Sequence, residues 1–145
     1  MKKLLVLVVL FMLQNIIAQE ADVKKSINIF FEGLHTADTL KIKSVCNDTM
    51  MLQSISQGKT SNKLTTEKAS EFYKSIAEIP AGMKIEERLL DYKIQIDGPM
   101  AHAWTPYEFY INGKLSHKGV NSFQLFNDNG VWKIIYIVDT RRKGN

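Results

Sequence analysis

The chain has 145 residues, of which 45% are hydrophobic and 23% charged, and its formal net charge is +4 at pH 7. This length fits one ordinary domain with a single apolar core. The net charge gives no electrostatic argument for nucleic-acid binding, because the only basic run, residues 141–143, is shorter than a polyanion site usually needs.

Residues 1–18 have the layout of a secretory signal peptide. Lys2 and Lys3 form a short cationic start, residues 4–13 form an unbroken apolar run, and Ala18 fits the residue before the cut. The apolar run is about half of the ~20 residues that cross a bilayer, although an uncleaved anchor or a buried strand are the alternatives. We therefore predict a periplasmic or secreted protein, with no membrane contact after cleavage, whose mature chain is one domain over residues 19–145.

Two helices are predicted to follow. Asp22 can cap the first, whose apolar face is formed by Val23, Ile27, Phe30, Phe31 and Leu34. The second begins at Thr39 or Leu40, with Leu40, Ile42 and Val45 facing inward, and Asn47-Asp48 ends it.

A short strand, a polar loop and a third helix come next. We predict the strand over residues 50–55 and the loop over residues 56–63, around Gly58. The helix is predicted to begin at Thr65 or Thr66, with an inward stripe of Ala69, Phe72, Tyr73 and Ile76. Residues 80–82, Pro-Ala-Gly, end this helix.

From residue 90 onward the hydrophobic period changes to two, which is typical of strands. Leu90, Tyr92, Ile94 and Ile96 alternate with polar residues. Three long aromatic and β-branched runs then follow, separated by residues 112–113 and 127–130, which are strong hairpin signals. Pro106 inside the first of these runs predicts a bulge or a sheet edge.

Helices first and an antiparallel sheet last make an α+β domain. The last strand is apolar on both sides: Trp132, Ile134, Tyr136 and Val138 on one, and Val131, Ile135 and Ile137 on the other. One face is expected to carry the helices. A partner subunit is the natural cover for the second face, so we predict a homodimer through the sheet.

Cys46 is the only cysteine, so no internal disulfide can form. Its apolar surroundings favour a buried thiol over a nucleophile. His35, His102 and His117 do not have a metal-ligand spacing, and we expect neither a metal site nor another cofactor.

The order of these elements resembles the nuclear transport factor 2-like (NTF2-like) superfamily, and within it the SnoaL-like and lumazine-binding-like branches. The likeness rests on residues 30–34 (FFEGL) with Asp38, on Asn47-Asp48, on residues 104–110 (WTPYEFY) and on residues 130–134 (GVWKI). It implies a cone-shaped fold, in which N-terminal helices pack on a curved antiparallel sheet around an apolar cavity, and dimers form through the sheet. It does not settle the function, because the superfamily contains both enzymes and proteins without activity.

The resemblance allows one activity to be tested by position. Ketosteroid isomerases of this superfamily use a tyrosine on the first helix, where this chain has Phe30, and an aspartate at the end of the short strand, where it has Leu52 and Gln53. Phenylalanine cannot donate a hydrogen bond, and neither Leu nor Gln takes a proton at neutral pH. The isomerase chemistry is therefore not expected in that form.

His117 and Asp139 are the candidate acid–base pair. Imidazole titrates near neutrality, and Asp139 ends an apolar strand just before Arg141, where burial would raise its pKa. If residues 117–126 and 131–139 form a hairpin, residue 121 lies near 136 and residue 118 near 139, which makes His117 and Asp139 neighbours. A one-residue slip would place them on opposite faces.

The candidate ligand-binding residues are aromatic and polar side chains of the last three strands: Trp104, Tyr107, Glu108, Asn121 and Arg141. Two main functions stay open, beside a third in which the domain only dimerises and supports other proteins at the cell envelope. One is an exported protein that binds a small apolar or aromatic molecule in a conical cavity. The other is a SnoaL-like isomerase, dehydratase or cyclase that uses His117 as base and Asp139 to orient it.

Overall fold

A computed structural model describes residues 2–144 of the chain, with side chains from residue 17 onward. The predicted signal peptide therefore lies almost wholly outside the residues whose side chains are described. The elements in chain order are α1 (Lys2–Thr36), α2 (Thr39–Ser44), β1 (Cys46–Gln57), β2 (Asn62–Lys68), α3 (Ala69–Ala77), β3 (Ile85–Leu89), β4 (Lys93–Asp97), β5 (Met100–Ile111), β6 (Lys114–Asp128) and β7 (Val131–Lys143). Among the described residues, no helix has a stretch that is both apolar and long enough to span a membrane.

The apolar face predicted for the first helix is confirmed, because all five of its residues are buried. The predicted cap at Asp22 is wrong: α1 continues through this position, since neither Pro nor Gly interrupts the chain before Gly33. Ala37 turns the chain with φ of 53°, and the Asp38 carboxylate caps α2 by accepting a hydrogen bond from the amide of Lys41 at 2.9 Å. Ile42 and Val45 are buried, but Leu40 is 76% exposed and does not face inward as predicted.

The third helix begins later than predicted, at Ala69, because the preceding residues form strand β2. β2 pairs antiparallel with β1, and Thr65 and Thr66 lie in it, where β-branched residues are favoured. The Glu71 carboxylate then accepts a hydrogen bond from the amide of Lys68 and fixes the start of α3. The predicted inward stripe is confirmed, with Ala69 and Ile76 buried and Phe72 and Tyr73 packed against the core.

The strand predicted around residues 90–97 is shorter, since β4 covers Lys93–Asp97, and strand β3 precedes it at Ile85–Leu89. Both strands pair with β5, β3 near one end and β4 near the other. Pro106 causes no bulge in the pairing of β5 with β6; it lies opposite the interruption between β3 and β4. Its missing N–H therefore costs no ladder hydrogen bond.

The three-stranded meander β5–β6–β7 is confirmed. Asn112-Gly113 and Asn129-Gly130 form its two turns with positive φ. The sheet order is β2-β1-β7-β6-β5-β3, with β4 on β5, and every pair is antiparallel except β1 with β7. The sheet is curved and unclosed, and the helices lie on its concave face. The chain thus has the expected α+β architecture.

A bulge in β7 changes which residues face the helices. Asp128 pairs with Val131, so the turn is tighter than predicted, and the register shifts again around Ile135. Asn121 therefore lies opposite Asp139, and Lys118 opposite Arg142; the predicted pairings were wrong. Trp132 and Ile134 face the core before the bulge, and Ile137 and Asp139 after it. Tyr136 and Val138, predicted on the same side as Trp132, lie on the outer face.

Candidate functional site

A cavity of about 280 Å³ lies between α1, α3 and the concave face of the sheet. Its apolar wall is aromatic: the ring of Phe30 stacks on Phe72 with centroids 5.7 Å apart, and Phe31 meets Phe123 edge to face at 6.0 Å. Polar side chains gather at the other end, and they are Glu67, Glu87, Tyr107, His117, Asn121, Asp139 and Arg141. One apolar wall with a few convergent polar groups is the usual composition of a small-molecule site.

Asp139 is the centre of the polar end. It is 8% exposed and accepts hydrogen bonds from Ser54 Oγ at 2.5 Å and from Tyr107 Oη at 3.0 Å. Arg141 adds bonds from Nε at 2.8 Å and from a terminal nitrogen at 3.4 Å. Donors from three strands thus fix the position of this carboxylate. Burial raises the pKa of Tyr107 far above its usual range, with Asp139 adding to the effect, so its hydroxyl stays a donor.

Glu87 is the second carboxylate of this end, and it comes from β3. One of its oxygens accepts a hydrogen bond from the amide nitrogen of Asn121 at 2.7 Å. The Glu87 side chain is half-buried: it borders two cavities, through which solvent can contact it, and protein atoms surround the rest. Burial raises the pKa of Glu87 to about 7; the hydrogen bond from Asn121 opposes this rise, and the charge of Asp139 reinforces it.

His117 lines the cavity but does not bond Asp139. Its ring stacks on Phe109 at 4.8 Å and meets Tyr107 edge to face at 5.9 Å, while Nδ1 lies 3.1 Å from Ser116 Oγ. Its backbone pairs with Lys143, four residues beyond Asp139. Burial, followed by the charge of Arg141, lowers the pKa of His117, so the ring is neutral at neutral pH. The two predicted partners share a cavity without a direct hydrogen bond.

The other predicted residues divide by face. Tyr107, Asn121 and Arg141 line the cavity. Trp104 and Glu108 do not, because alternation along β5 places them on the outer face; Trp104 is 43% exposed. Glu108 instead accepts a hydrogen bond from Tyr110 Oη at 2.6 Å.

Two of the three positions compared with the isomerases face the cavity, and the third, Gln53, does not line it. Phe30 and Leu52 both line it, and both are apolar. The two positions that line the cavity therefore carry no polar group, and the ionisable groups of the cavity come from β2, β3, β5, β6 and β7 instead.

Sequence reasoning missed Glu87, Glu67 and Ser54. Glu87 sits in the run Ile85-Glu86-Glu87-Arg88-Leu89, where Ile85, Glu87 and Leu89 alternate with more exposed residues. A single acid between two apolar residues of period two is the signal that could have indicated a carboxylate facing inward. Ser54 lies in β1 and Glu67 in β2, the two strands of a hairpin whose second strand was predicted as the end of a loop and the start of a helix.

Cys46 is buried, as predicted, and burial raises its pKa to about 12. A thiol with so high a pKa is a poor nucleophile. Within residues 2–144, no three His, Cys, Asp or Glu side chains are grouped to hold a metal ion.

Comparison with solved structures identifies the architecture. An NTF2-like protein from Cytophaga hutchinsonii has a TM-score of 0.70 at 13% identity, over 86% of this chain and 98% of its own. An NTF2-like protein from Shewanella baltica has a TM-score of 0.65 at 14% identity, over 88% and 97%. A candidate dehydratase of the NTF2-like family from Streptomyces avermitilis has a TM-score of 0.65 at 16% identity, over 86% and 96%.

No protein-family model matches the chain, and no curated protein is significantly similar to it. Identities this low establish shape and not activity. The expected likeness is confirmed at that level: the chain has the nuclear transport factor 2-like fold.

Proposed function

We propose that the chain binds a small, largely apolar molecule whose polar end contacts the carboxylates of the cavity. The observation that carries this proposal is the contrast between the two ends of one cavity: aromatic rings from α1, α3 and β6 at one end, and Glu87, Asn121 and Asp139 at the other. Its volume, about 280 Å³, lies just below the roughly 300–1,000 Å³ range of ligand sites, and so suits a single-ring molecule.

Blocking the cavity tests this function. Ser75 lines the cavity from α3 but is itself exposed, so Ser75→Trp places an indole at the entrance without displacing core residues. Lys74→Trp is the matched control, because Lys74 lies beside Ser75, is exposed and does not line the cavity. Binding is measured by native mass spectrometry and by calorimetry with single-ring compounds. The native protein and Lys74→Trp should bind these compounds, and Ser75→Trp should not. Equal binding by both variants would refute the proposal.

Acid–base catalysis on the bound molecule is a second candidate, favoured by the raised pKa of Glu87. A carboxyl group that titrates near neutrality can take a proton from a carbon beside a carbonyl and return it to another carbon. Glu87 suits the role of base better than His117, since burial raises the pKa of Glu87 to about 7 whereas burial lowers the pKa of His117. Solvent deuterium should enter small aryl ketones with the native protein and not with Glu87→Gln.

We also propose that residues 1–18 are removed during export. Among the described side chains, Val23 is the first that is buried, and Ile17 is 67% exposed, so removal would leave the described core intact. Expression with the native N-terminus in a bacterial host should yield a periplasmic or secreted chain whose mass corresponds to a start at Gln19. A cytoplasmic protein that keeps residues 1–18 would refute export.

The outer face of the sheet supports a homodimer as a further part of this proposal. Met51, Ile55, Met100 and Trp104 are each at least 36% exposed, and strand alternation places all four opposite the helices. A second copy of the chain would cover them, since exposed apolar area of this kind marks interfaces.

A further inference from the structure

We propose that the molecule bound in this cavity carries a primary ammonium group on its apolar body, and that Glu87 binds that ammonium. This proposal rests on the proposed function, because it names the chemical class of the ligand for the same cavity.

The first argument is the balance of charge. Three carboxylates line the cavity, and they belong to Glu67, Glu87 and Asp139, whereas Arg141 is the one cation that lines it within the described residues. Arg141 is already committed to Asp139 through its two bonds of 2.8 and 3.4 Å. Among the side chains of residues 17–144, no cation lies within salt-bridge distance of Glu87 or Glu67. The cavity therefore lacks positive charge that a ligand could supply.

The second argument is the geometry of Glu87. Asn121 donates to one carboxylate oxygen at 2.7 Å, while the other oxygen has no hydrogen-bond partner among the described residues. That oxygen belongs to a side chain that borders the cavity, so a donor on a bound molecule can reach it. An ammonium group offers three donors and a full charge, which is the best complement to a half-satisfied carboxylate.

The groups around Glu87 disfavour a ligand with a negatively charged group. Asp139 and Arg141 face it from β7, His117 and Asn121 from β6, and His35 of α1 accepts a hydrogen bond from its backbone amide at 2.8 Å. Asp139 and Glu67 would repel an anion, and the guanidinium that could bind one is occupied. Burial that is costly for the ionised Glu87 becomes favourable once a cation is beside it.

Three ligands of similar shape test the proposal: phenylethylamine, phenylethanol and phenylacetate, titrated calorimetrically at pH 8 into the native protein. The amine should bind about tenfold or more tightly than the alcohol, and the carboxylate most weakly. Glu87→Gln should remove the preference for the amine and leave the affinity for the alcohol within about twofold. Glu86→Gln is the control, since Glu86 lies on the same strand, pairs with Arg88 and does not line the cavity.

A pH series on the native protein gives a readout that needs no variant. The amine stays protonated between pH 5 and pH 8, but Glu87 does not stay ionised, so the preference for the amine should fall as the pH drops below about 7. Equal or stronger binding of the alcohol or of phenylacetate at pH 8 would overturn the ammonium proposal alone. Failure of all three ligands to bind would overturn it together with the cavity-binding function.

Discussion

The side-chain amide of Asn121 donates a hydrogen bond of 2.7 Å to Glu87 across strand β5, which separates their two strands in the sheet. Asn121 is also the backbone partner of Asp139. Asn121 therefore connects Glu87, whose pKa is about 7, with the strand that carries Asp139. Both carboxylates lie at the same end of the cavity as a result.

Replacement of Glu87 by Gln should stabilise the protein at high pH. The folded pKa of Glu87 lies above its ordinary value of 4.5, so the folded state loses stability relative to the unfolded state as pH rises from about 4.5 through about 7. Glutamine keeps an acceptor for Asn121 but carries no charge. We expect Glu87→Gln to exceed the native protein in unfolding free energy by about 2 kcal/mol at pH 8, and to match it near pH 4.5.

Urea denaturation at the two pH values measures this difference. Glu86→Gln, on the exposed side of the same strand, should not reproduce the gain at pH 8, because Arg88 lowers the pKa of Glu86. A Glu87→Gln protein no more stable than native at pH 8 would show that the carboxylate is not destabilised by burial.

Replacement of Asp139 by Asn should destabilise the protein. The asparagine side chain has no charge to pair with Arg141. Its NH₂ group would also face Ser54 or Tyr107, whose hydroxyl groups donate to Asp139 in the native protein. We expect a loss of about 3 kcal/mol in unfolding free energy, measured by urea denaturation at pH 7. Asp97→Asn, at an exposed strand end, should change stability by less than about 0.5 kcal/mol, and a similar value for Asp139→Asn would contradict the network.

Gly119 is where the chain allows Tyr107 to reach Thr140. A Cβ at residue 119 would lie 1.6 Å from the carbonyl oxygen of Thr140 and 3.0 Å from the ring of Tyr107, whose hydroxyl oxygen lies 3.0 Å from that same carbonyl oxygen. Gly119→Ala should therefore lower the unfolding free energy by about 3 kcal/mol or more, because the obstacle is backbone. Lys118→Ala, one residue away on the outer face, is the control; equal melting temperatures for the two variants would rule the clash out.

Trp104→Glu tests the outer face. The indole is 43% exposed and points away from the core, so the substitution should leave the monomer folded while placing a charge in the proposed dimer interface. Sedimentation analysis should show a dimer for the native protein and a shift towards monomer for Trp104→Glu. Leu40→Glu, at a 76% exposed position of α2 on the opposite side of the sheet, controls for added charge. A native protein that sediments as a monomer at high concentration would exclude the dimer.

Elements with strong local signals could be predicted from the sequence. The turns at Asn112-Gly113 and Asn129-Gly130 need positive φ at adjacent residues, which few other dipeptides tolerate, and the face of α1 repeats an apolar period over about three turns. β2 was missed because its residues 62–68 are almost all exposed, so no alternation marks it as a strand. β3 was missed because its five residues include three charges.

The candidate site was less predictable than the fold. Tyr107, His117, Asn121, Asp139 and Arg141 were identified as polar or aromatic groups on long strands, and all five do line the cavity. Ser54, the partner of Asp139, could not be identified in the same way, because it reaches Asp139 through the parallel pairing of β1 with β7, across 85 residues of chain. No local pattern encodes such a pairing, and the bulge near Ile135 leaves no mark in the sequence either.

That one extra residue in β7 has a consequence for comparisons between relatives. A homologue with an unbroken strand would present its even-numbered equivalents, such as Thr140 and Arg142, to the interior, where this chain presents Asp139 and Arg141. An ungapped alignment of the last strand would then equate inner with outer positions. Homologues should therefore be matched by spatial superposition around Ile135 before any interior residue is transferred from one to another.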